Sequence, residues 1–433
     1  MVRVCNWGKY PCLDAAVFEN RDIAKVASLI ALADRIIARG NGRSYGDSSL
    51  APTIFSTLQL NKIIFFDTEN GIIKAESGVL LDDLLQVIVP KGFFLFVTPG
   101  TRLITLGGAV AANVHGKNHH KDAGFGSFVD EIEIILADGT TTKCSHKNNQ
   151  YLFANTIGGM GLTGIITTVT IRLRPIETSY IKQKSVKVKN LSRVISLLEE
   201  NQDTTYSVAW IDCIARGSLM GRSILLLGEH ACGNDIPKNK KPLLPHSTKL
   251  LNVPFVFPSF VLNKWSIKAF NMLYYHKQLK TESYGLVHYA PFFYPLDAIG
   301  NWNRIYGKRG FTQYQFVLPF DKGKVGLEKI MKKITDSGFG SFLAVLKTLG
   351  ESEKLCSPLS FPMPGYTLAL DFKITKEVFK LLDELDQLVI DHGGRLNLTK
   401  DARMSALTFG KTYGKNSIQT GKFLSQQAQR LIR

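Results

Sequence analysis

Residues 38–47 read Ala-Arg-Gly-Asn-Gly-Arg-Ser-Tyr-Gly-Asp and follow a short apolar segment at positions 36–37 that is typical of a strand. Gly40, Gly42 and Gly46 lie close together in this stretch. Glycine adopts backbone angles that other residues avoid, and it lets a ligand approach the main chain. The spacing therefore predicts either a backbone cradle for an anion or a simple tight turn, and the loop alone leaves both interpretations open.

The composition is that of an ordinary globular protein with a large core. The chain has 433 residues, of which 45% are hydrophobic and 21% charged, so we expect two or three domains. The most apolar stretch, residues 250–262, is interrupted by Pro254 and Pro258 and is too short to span a membrane. The N-terminus lacks the apolar core of a signal peptide, and we therefore expect a cytoplasmic protein.

The cysteines show neither a CxxC pair nor the spacing of metal ligands. Such scattered cysteines are typical of a reducing compartment. We therefore expect free, buried thiols, without disulfides and without a structural zinc ion, at all six positions: Cys5, Cys12, Cys144, Cys213, Cys232 and Cys356.

The net charge of +17 indicates either anionic partners or simply a basic, well-solvated surface. Zinc-finger spacing, RNP-like motifs and basic heptad helices are absent from the sequence, so we do not expect nucleic acid to be a partner. The densest basic cluster is Lys238–Lys241, followed by His246 and Lys249, close to the apolar stretch. This loop either rests on an anionic bilayer surface or is a solvated loop.

Residues 99–120 form a second candidate binding region. Gly107 and Gly108 begin a run of small residues, where either a helix N-terminus presents free amides to a bulky ligand or the backbone packs closely. Potentially cationic side chains follow within a few positions: His115, Lys117, His119 and His120. Because neither Cys nor a carboxylate joins them, this pattern favours anion or proton chemistry over metal binding.

A third glycine cluster lies within residues 156–166, and three clusters exceed what turns alone require. None of them is a dinucleotide-binding fingerprint, since Gly40 and Gly42 lack a third glycine at the required spacing and the region after the loop does not predict a long helix. A GxxxxGK[ST] phosphate loop is also absent.

Hydrophobic periodicity predicts an α+β fold. Helices are predicted over 22–33 and 81–88, and hairpins are predicted to turn at 70–71 and 138–139. A half-buried strand is predicted to end at Pro175, and another covers 206–212. Two later strand–helix units, over 313–334 and 366–388, predict one sheet with helices on one face.

Taken in order, these motifs resemble a known family. Residues 1 to about 175 resemble the FAD-binding domain of the vanillyl-alcohol-oxidase type (PCMH-type), which aldonolactone oxidases share. Within this type, the resemblance is to the decaprenylphosphoryl-β-D-ribose 2-oxidase family, and it extends almost to the end of the chain. The motifs that carry it lie at 40–47, 99–102, 115–120, 161–166, 209–212, 313–316, 359–365 and 399–403.

The resemblance implies a two-subdomain FAD-binding domain over 1–175. It further implies an α+β substrate domain with an antiparallel sheet over 176–395, which includes a basic, partly mobile loop at 230–281. Residues 396–433 are expected to return to the FAD domain.

The resemblance also implies roles for individual residues. Lys400, Tyr45 and His115 are the expected catalytic residues, with Lys400 orienting the substrate hydroxyl or receiving its proton. The expected substrate-binding residues are Lys117, Trp210, Gln315, Lys347, Asp371 and Lys400. The expected cofactor-binding residues are Arg39, Gly40, Asn41, Gly42, Arg43, Ser44, Tyr45, Gly46, Asp47, Pro99, Gly100, Thr105, Gly107, Gly108, Ala112, Asn113, His115 and Ile166.

Arg43 stands where covalent members of the wider class attach the flavin through a histidine, so we expect noncovalent FAD.

Four positions depart from the family pattern. Ala369 replaces the cysteine of mycobacterial members, Asn397 replaces a tyrosine, and Phe293 and Val208 replace polar residues. These departures concern the substrate pocket, and covalent trapping by nitroaromatic inhibitors at position 369 is not expected.

The implied reaction is the oxidation of a secondary hydroxyl of a sugar by hydride transfer to flavin N5. The expected substrate is a polyprenyl-phosphate-linked pentose, oxidised in the first half of an epimerisation that an NAD(P)H-dependent short-chain reductase completes. Peripheral contact with anionic membrane at the inner face of the plasma membrane would suit such a substrate. The alternatives are an aldonolactone oxidase or dehydrogenase of the same fold and, in another class, a basic anion- or membrane-binding protein with an inactive flavin site.

Overall fold

The computed structural model describes residues 1–247, 251–258, 260–353, 355–419 and 421–433. Lys249 of the predicted basic cluster and Leu250 of the apolar stretch lie outside the described residues. Among the helices of the described ranges, none is long and apolar enough to cross a membrane.

The first sheet has four strands: β1 (Val2–Cys5), β2 (Cys12–Glu19), β3 (Ile36–Arg39) and β4 (Thr53–Ser56). Their order is β1-β2-β4-β3, and β4 runs parallel to both β2 and β3. Helix α1 (Ile23–Leu32) connects β2 to β3 and buries Val26 and Ile30. The helix predicted over 22–33 and the strand predicted at 36–37 are therefore confirmed, and the glycine-rich loop begins where β3 ends.

The expectation that the chain has no disulfide was wrong, because Cys5 and Cys12 are bonded to each other. These cysteines are directly opposite in the antiparallel pairing of β1 with β2, with their Cα atoms 4.4 Å apart. This separation lies within the reach of a disulfide. The spacing of cysteines along the chain does not reveal the register of a hairpin. Of the remaining cysteines, Cys144 and Cys213 are buried, whereas Cys232 is exposed and Cys356 is partly exposed.

The second sheet is antiparallel and has six strands: β5 (Ile63–Asp67), β6 (Ile72–Glu76), β7 (Phe93–Leu95), β8 (Val129–Ile135), β9 (Thr141–Ser145) and β10 (Ile165–Pro175). Their order is β5-β6-β10-β8-β9, and β7 also pairs with β10. Four helices accompany this sheet: α2 (Leu81–Ile88), α3 (Leu106–Ala111), α4 (His119–Asp122) and α5 (Gln150–Thr156). Both predicted hairpins and the predicted helix over 81–88 are confirmed.

The rest of the described chain contributes ten strands: β11 (Tyr180–Val188), β12 (Tyr206–Ile211), β13 (Ser223–His230), β14 (Leu251–Asn252), β15 (Glu282–His288), β16 (Ile299–Gly300), β17 (Phe311–Leu318), β18 (Ala344–Leu349), β19 (Gly365–Lys373) and β20 (Arg395–Leu396). Eight of them form one antiparallel sheet in the order β15-β11-β13-β12-β18-β19-β17-β20, while β14 and β16 form a separate parallel pair. The predicted antiparallel sheet is confirmed.

Seven helices belong to the same part of the described chain: α6 (Leu191–Glu200), α7 (Lys264–His276), α8 (Tyr289–Phe293), α9 (Phe320–Ser337), α10 (Lys376–Asp391), α11 (Ala406–Thr412) and α12 (Gln426–Leu431). Helices α6, α9 and α10 bury their apolar faces on one face of the eight-stranded sheet, and the prediction that helices of the two late units share one face is confirmed for α9 and α10. Val325, one of the apolar residues whose spacing predicts the helix of the unit at 313–334, is instead exposed. The region at 230–281 is not simply a loop, because Asn263 caps the 13-residue helix α7 within it.

The other face of the eight-stranded sheet is the face that positions the candidate site. Successive side chains of a strand point to opposite faces of the sheet. Tyr314 and Leu346 accordingly enter the helix-covered core, whereas Gln313, Gln315 and Lys347 line an internal cavity. The same alternation places Val208, Trp210, Val345 and Ala369 on the cavity side.

Candidate active site

A large cavity lies between the glycine-rich loops of the first half and the open face of the eight-stranded sheet. About 2550 Å³ of this space, including its opening to solvent, is not filled by protein atoms. The predicted residues that line it are Gly40, Asn41, Gly42, Arg43, Ser44, Tyr45, Pro99, Gly100, Thr105, Gly107, Gly108, Ala112, His115, Lys117, Ile166, Trp210, Gln315, Lys347 and Lys400. Tertiary structure thus brings predicted cofactor-binding, substrate-binding and catalytic residues to one cavity.

The loop at 40–45 presents its backbone to this cavity. The N–H groups of Asn41, Gly42 and Arg43 have no hydrogen-bond acceptor among the described residues, although these residues line the cavity. A Cβ atom on Gly40 would lie 2.2 Å from Thr105 Oγ1, so a glycine is required where the two loops meet. Free amides along a glycine-rich wall fit the pyrophosphate of FAD, which accepts hydrogen bonds from such groups.

The second glycine cluster packs closely and does not present free amides at the start of α3. Gly107 N–H donates to Ser77 O, and Gly108 N–H donates to Thr105 Oγ1. A Cβ on Gly107 would lie 2.8 Å from Ser77 Cβ. Close backbone packing is therefore the correct one of the two interpretations of this cluster. The small residues allow the backbone to form the cavity wall.

Arg43 is held on an aromatic ring at the edge of the cavity. Its guanidinium carbon lies 4.1 Å from the centre of the Trp7 ring, a cation–π contact. Burial lowers the pKa of Arg43, and the nearby Asp297 carboxylate opposes that shift. Asp297 also accepts hydrogen bonds from Thr101 Oγ1 and Arg102 N–H, so one carboxylate orders the loop at 99–102 beside Arg43.

Several predicted cofactor-binding residues do not line the cavity and instead support the loops. Arg39 donates to Cys5 O, and Asn113 donates to Ser360 Oγ while accepting from Gly126 N–H. A Cβ on Gly46 would lie 1.8 Å from Asp401 O, so this glycine lets the loop pack on the Lys400 segment.

Asp47 supports the same contact from the other side. Its carboxylate pairs with Arg430, whose guanidinium also pairs with Asp401. Because Tyr45 N–H donates to Thr399 O, the glycine loop and the segment that carries Lys400 are directly joined.

Three lysines from separate parts of the chain face the cavity, namely Lys117, Lys347 and Lys400. Lys117 Nζ donates to Phe293 O at 3.3 Å, Lys347 Nζ donates to Gly116 O at 3.2 Å, and Lys400 Nζ lies 4.3 Å from the centre of the Tyr45 ring. None of them forms an ion pair with a described residue. They are enclosed by protein, and the surface that they expose faces the cavity.

The surrounding protein lowers the pKa of all three lysines. Burial lowers the pKa of Lys347 to about 7, with a further contribution from the charges of Lys117 and Lys400. Burial also lowers the pKa of Lys117 to about 8 and that of Lys400 to about 8, although Asp371 opposes the shift at Lys400. The cavity therefore combines unpaired positive charge with amines that exchange protons near neutral pH.

Asp371 does not line the cavity but lies behind it in a hydrogen-bonded chain. Gln313 Nε2 donates to Asp371 Oδ1 at 2.6 Å and to Tyr45 Oη at 3.3 Å, and Tyr306 Oη donates to Asp371 Oδ2 at 3.4 Å. Burial raises the pKa of Asp371 to about 7, against the stabilising hydrogen bond from Gln313. Burial and the Asp371 charge raise the pKa of Tyr45 well above its usual value, so Tyr45 is a neutral phenol.

His115 is held as a neutral ring in the cavity wall. Its Nε2 atom lies 3.1 Å from Gln315 Nε2, which donates, so the ring proton must be on Nδ1. Burial, followed by the charges of Lys347, His119 and Lys400, lowers the pKa of His115 well below its usual value. Asn397 Nδ2 donates to Gln315 Oε1 and fixes the orientation of that amide.

The four side chains at 115–120 do not form the cationic group that their spacing suggested. Only His115 and Lys117 line the cavity. Burial lowers the pKa of His119 to about 3 and also lowers the pKa of His120, so neither ring is cationic near neutral pH. Within the described ranges, no group of three His, Cys, Asp or Glu side chains is arranged to hold a metal ion.

Sequence reasoning missed several residues of the site. Gln313 lies two positions before Gln315 on β17, so strand alternation could have placed it on the same face. Trp7 and Trp302 also line the cavity, but no local pattern distinguishes them from core tryptophans. All four departures from the family pattern lie in the cavity wall: Val208, Phe293, Ala369 and Asn397.

Comparison with known proteins agrees with this arrangement. Residues 15–145 match the family described as FAD binding domain. Decaprenylphosphoryl-beta-D-ribose oxidase of Mycolicibacterium smegmatis is 34% identical over 450 residues, which cover 99% of this chain and 97% of that protein. L-gulonolactone oxidase of Mus musculus is 26% identical over 41% of this chain and 43% of its own length. D-lactate dehydrogenase of Anaerostipes hadrus is 34% identical over 30% of this chain and 28% of its own length.

The near-complete coverage confirms the resemblance that the ordered motifs indicated, and the matched domain supports FAD as the cofactor. The α+β fold with an FAD-binding domain is likewise confirmed. The chain therefore belongs to the decaprenylphosphoryl-beta-D-ribose oxidase family of FAD-dependent oxidoreductases.

Proposed function

We propose that this chain binds FAD noncovalently and oxidises a secondary hydroxyl group of a polyprenyl-phosphate-linked pentose, producing the 2-keto sugar. The observation that carries the proposal is the convergence of Lys117, Lys347 and Lys400 on the cavity without an ion-pair partner among the described residues. Enclosed lysines without an ion-pair partner among the described residues favour an anionic ligand. A phosphate-linked sugar supplies that charge, whereas an aldonolactone is neutral.

The bound cofactor would supply the acceptor for a hydride from the carbinol carbon. The free amides at 41–43 would hold its pyrophosphate, and Arg43 on Trp7 would hold the loop in place without a covalent bond. Asn397, Gln315 and His115 form a connected polar wall in the same cavity. This wall would orient the hydroxyl groups of the sugar.

Lys400 is the proposed acceptor of the hydroxyl proton. A lysine with a pKa of about 8 is partly neutral at physiological pH, and a neutral amine can receive a proton. Tyr45, a neutral phenol in contact with Lys400, would position the amine through its ring and stay protonated. Lys117 and Lys347 are proposed to bind the phosphate. Asp371 is proposed to act as a charge behind Lys400 and not to contact the substrate.

The product and the substrate imply partners. A 2-keto sugar becomes an epimer only when a separate enzyme returns a hydride to the other face, so we propose an NAD(P)H-dependent short-chain reductase as the consumer of the product. A polyprenyl chain keeps the substrate in a lipid bilayer. The proposal therefore includes peripheral contact with anionic membrane at the inner face of the plasma membrane.

Anaerobic reduction of the bound flavin tests the function. A polyprenyl-phosphoryl ribose should bleach the flavin absorbance, and an aldonolactone should not. Bleaching by the lactone alone would replace the proposal with a lactone oxidase, to which the similarity with L-gulonolactone oxidase points. Purified protein that neither carries nor takes up flavin would indicate an inactive flavin site.

Acid precipitation tests noncovalent attachment of the flavin. It should leave the yellow colour in the supernatant, and colour on the pellet would contradict noncovalent attachment.

A further inference from the structure

The outer face of α7 carries large apolar side chains that the described part of the chain leaves uncovered. Trp265 and Leu273 are each 68% exposed, and Met272 is 49% exposed. Just before the helix, Phe260 is 75% exposed, and Phe255 nearby is 61% exposed. We call these five side chains the outer patch. Large apolar side chains that are exposed together in one segment mark a site of interaction.

The part of the sequence that carries the outer patch has charged side chains of a single sign. Residues 236–281 contain eight lysines and neither Asp nor Glu, the lysines being Lys238, Lys240, Lys241, Lys249, Lys264, Lys268, Lys277 and Lys280. Lys264 and Lys268 are exposed on α7 itself, beside Trp265. Each lysine near an anionic bilayer adds to the attraction. Aromatic and aliphatic side chains among lysines are the composition of a helix that lies in a membrane interface.

The outer patch is also connected to the cavity. Tyr274 lies on the side of α7 opposite Trp265, lines the cavity and packs against Trp210 with the two rings tilted and 4.6 Å between their centres. Leu262, between Phe260 and α7, packs into the aromatic cluster that contains Tyr45. One helix therefore forms part of the cavity wall on its inner side and carries the outer patch on its outer side.

We infer that the outer patch docks on the surface of an anionic lipid bilayer, with α7 lying in the plane of the interface. The inference rests on the proposed function, because it explains how a polyprenyl chain can remain in the bilayer while its sugar enters the cavity. A second copy of this chain is a poorer occupant, since pairing two such faces would bring their lysines together. An acidic protein would match the charge but would leave the exposed aliphatic side chains without a matching surface.

Vesicle co-sedimentation of the full-length holoenzyme tests the inference. The protein should bind vesicles of phosphatidylcholine and phosphatidylglycerol, bind pure phosphatidylcholine weakly, and dissociate as salt is raised. A Trp265→Ser/Leu273→Ser double variant should lose at least about tenfold in affinity, because both side chains lose their burial in lipid. The matched control is Leu32→Ser/Tyr151→Ser, which changes side chains that are 86% and 73% exposed elsewhere on the surface and should bind as the wild type does.

Lys264→Glu/Lys268→Glu should weaken binding to the anionic vesicles and leave binding to pure phosphatidylcholine unchanged. Equal binding by wild type and the Trp265→Ser/Leu273→Ser variant, or no binding by the wild type, would overturn the inference. A wild type that sediments as a dimer while this variant sediments as a monomer would reassign the patch to self-association and would equally overturn it.

Substrates of two lengths separate the docking from the chemistry. A short, water-soluble prenyl-phosphoryl ribose should reduce the flavin equally in the wild type and in the Trp265→Ser/Leu273→Ser variant. A long-chain substrate held in vesicles should reduce the flavin of the wild type faster than the flavin of this variant. Vesicle binding through the patch without reduction by either substrate would refute the proposed function and leave the docking intact.

Discussion

Asp47 and Arg430 form a largely buried ion pair although 383 positions separate them, with 2.8 Å between Oδ1 and Nη2. Asp47 follows the glycine loop, and Arg430 lies on the C-terminal helix α12. The same guanidinium pairs with Asp401 at 2.9 Å, next to Lys400. The C-terminal helix therefore connects the proposed cofactor loop to the proposed proton acceptor.

Replacing Arg430 with Met should destabilise the protein. The Asp47 and Asp401 side chains are only 2% and 6% exposed, so the variant leaves two carboxylates without their counterion. Removing one partner from a buried pair costs about 3–5 kcal/mol. Chemical denaturation monitored by circular dichroism measures this loss. Arg3→Met is the matched control, because its pair with Asp14 has side chains that are 67% and 61% exposed and should show no measurable change. Equal stability of both variants would contradict the structural role of Arg430.

Removing the ring of Trp7 should weaken FAD binding. Trp7→Ala removes the cation–π contact that holds Arg43, which is worth about 0.5–2 kcal/mol, so the dissociation constant should rise by roughly 2- to 30-fold. Fluorescence titration of the apoprotein with FAD measures it. Trp7→Phe should retain most of the affinity, and Trp265→Ala, which removes an exposed tryptophan, should leave it unchanged. An unaltered affinity in Trp7→Ala would show that Arg43 does not depend on this ring.

Replacing Lys400 with Met should slow flavin reduction while FAD remains bound. A positioned acid–base group contributes about 10²–10⁴-fold to a rate, and methionine retains the bulk of the side chain without its amine. Anaerobic stopped-flow absorbance measures the rate, and the flavin spectrum before mixing reports on cofactor binding. Lys411→Met, at an exposed position on α11, is the control. Reduction of Lys400→Met at the wild-type rate would remove Lys400 from the mechanism.

Phosphate binding should weaken as pH rises through about 7. Lys347 has a pKa of about 7 and carries its charge only below that pH, so raising the pH from 6 to 8 removes one of the three positive charges. A charged hydrogen bond contributes about 1.5–3 kcal/mol, so the dissociation constant of a methyl prenyl phosphodiester should rise by about tenfold or more. A diester is used because its own charge does not change between pH 6 and 8, whereas that of a phosphate monoester does. Isothermal titration calorimetry with the holoenzyme measures this change. Lys347→Met should bind weakly at both pH values, and a wild-type affinity that does not change with pH would contradict the assignment.

Much of the fold is encoded locally. Hydrophobic residues that repeat with a period of 3.6 or 2, together with turn residues, act over a few positions. They account for the helix over 81–88, the hairpins at 70–71 and 138–139 and the two late strand–helix units. The glycines at 40 and 42 likewise indicate a backbone cradle through their spacing, with a tight turn as the alternative. Strand alternation would also have placed Gln313 beside Gln315.

Other features depend on contacts between distant parts of the chain, which no local pattern carries. The register of β1 with β2 places Cys5 opposite Cys12, where they form a disulfide. Burial lowers the pKa of the histidines at 115–120, so their rings are neutral. The sequence by itself determined these local elements, the three glycine clusters and, through its ordered motifs, the family. Only tertiary structure decided that Arg430 supports the cofactor loop and that Lys117, Lys347 and Lys400 reach the cavity without an ion-pair partner among the described residues. Burial and ion pairing arise when segments hundreds of residues apart pack together.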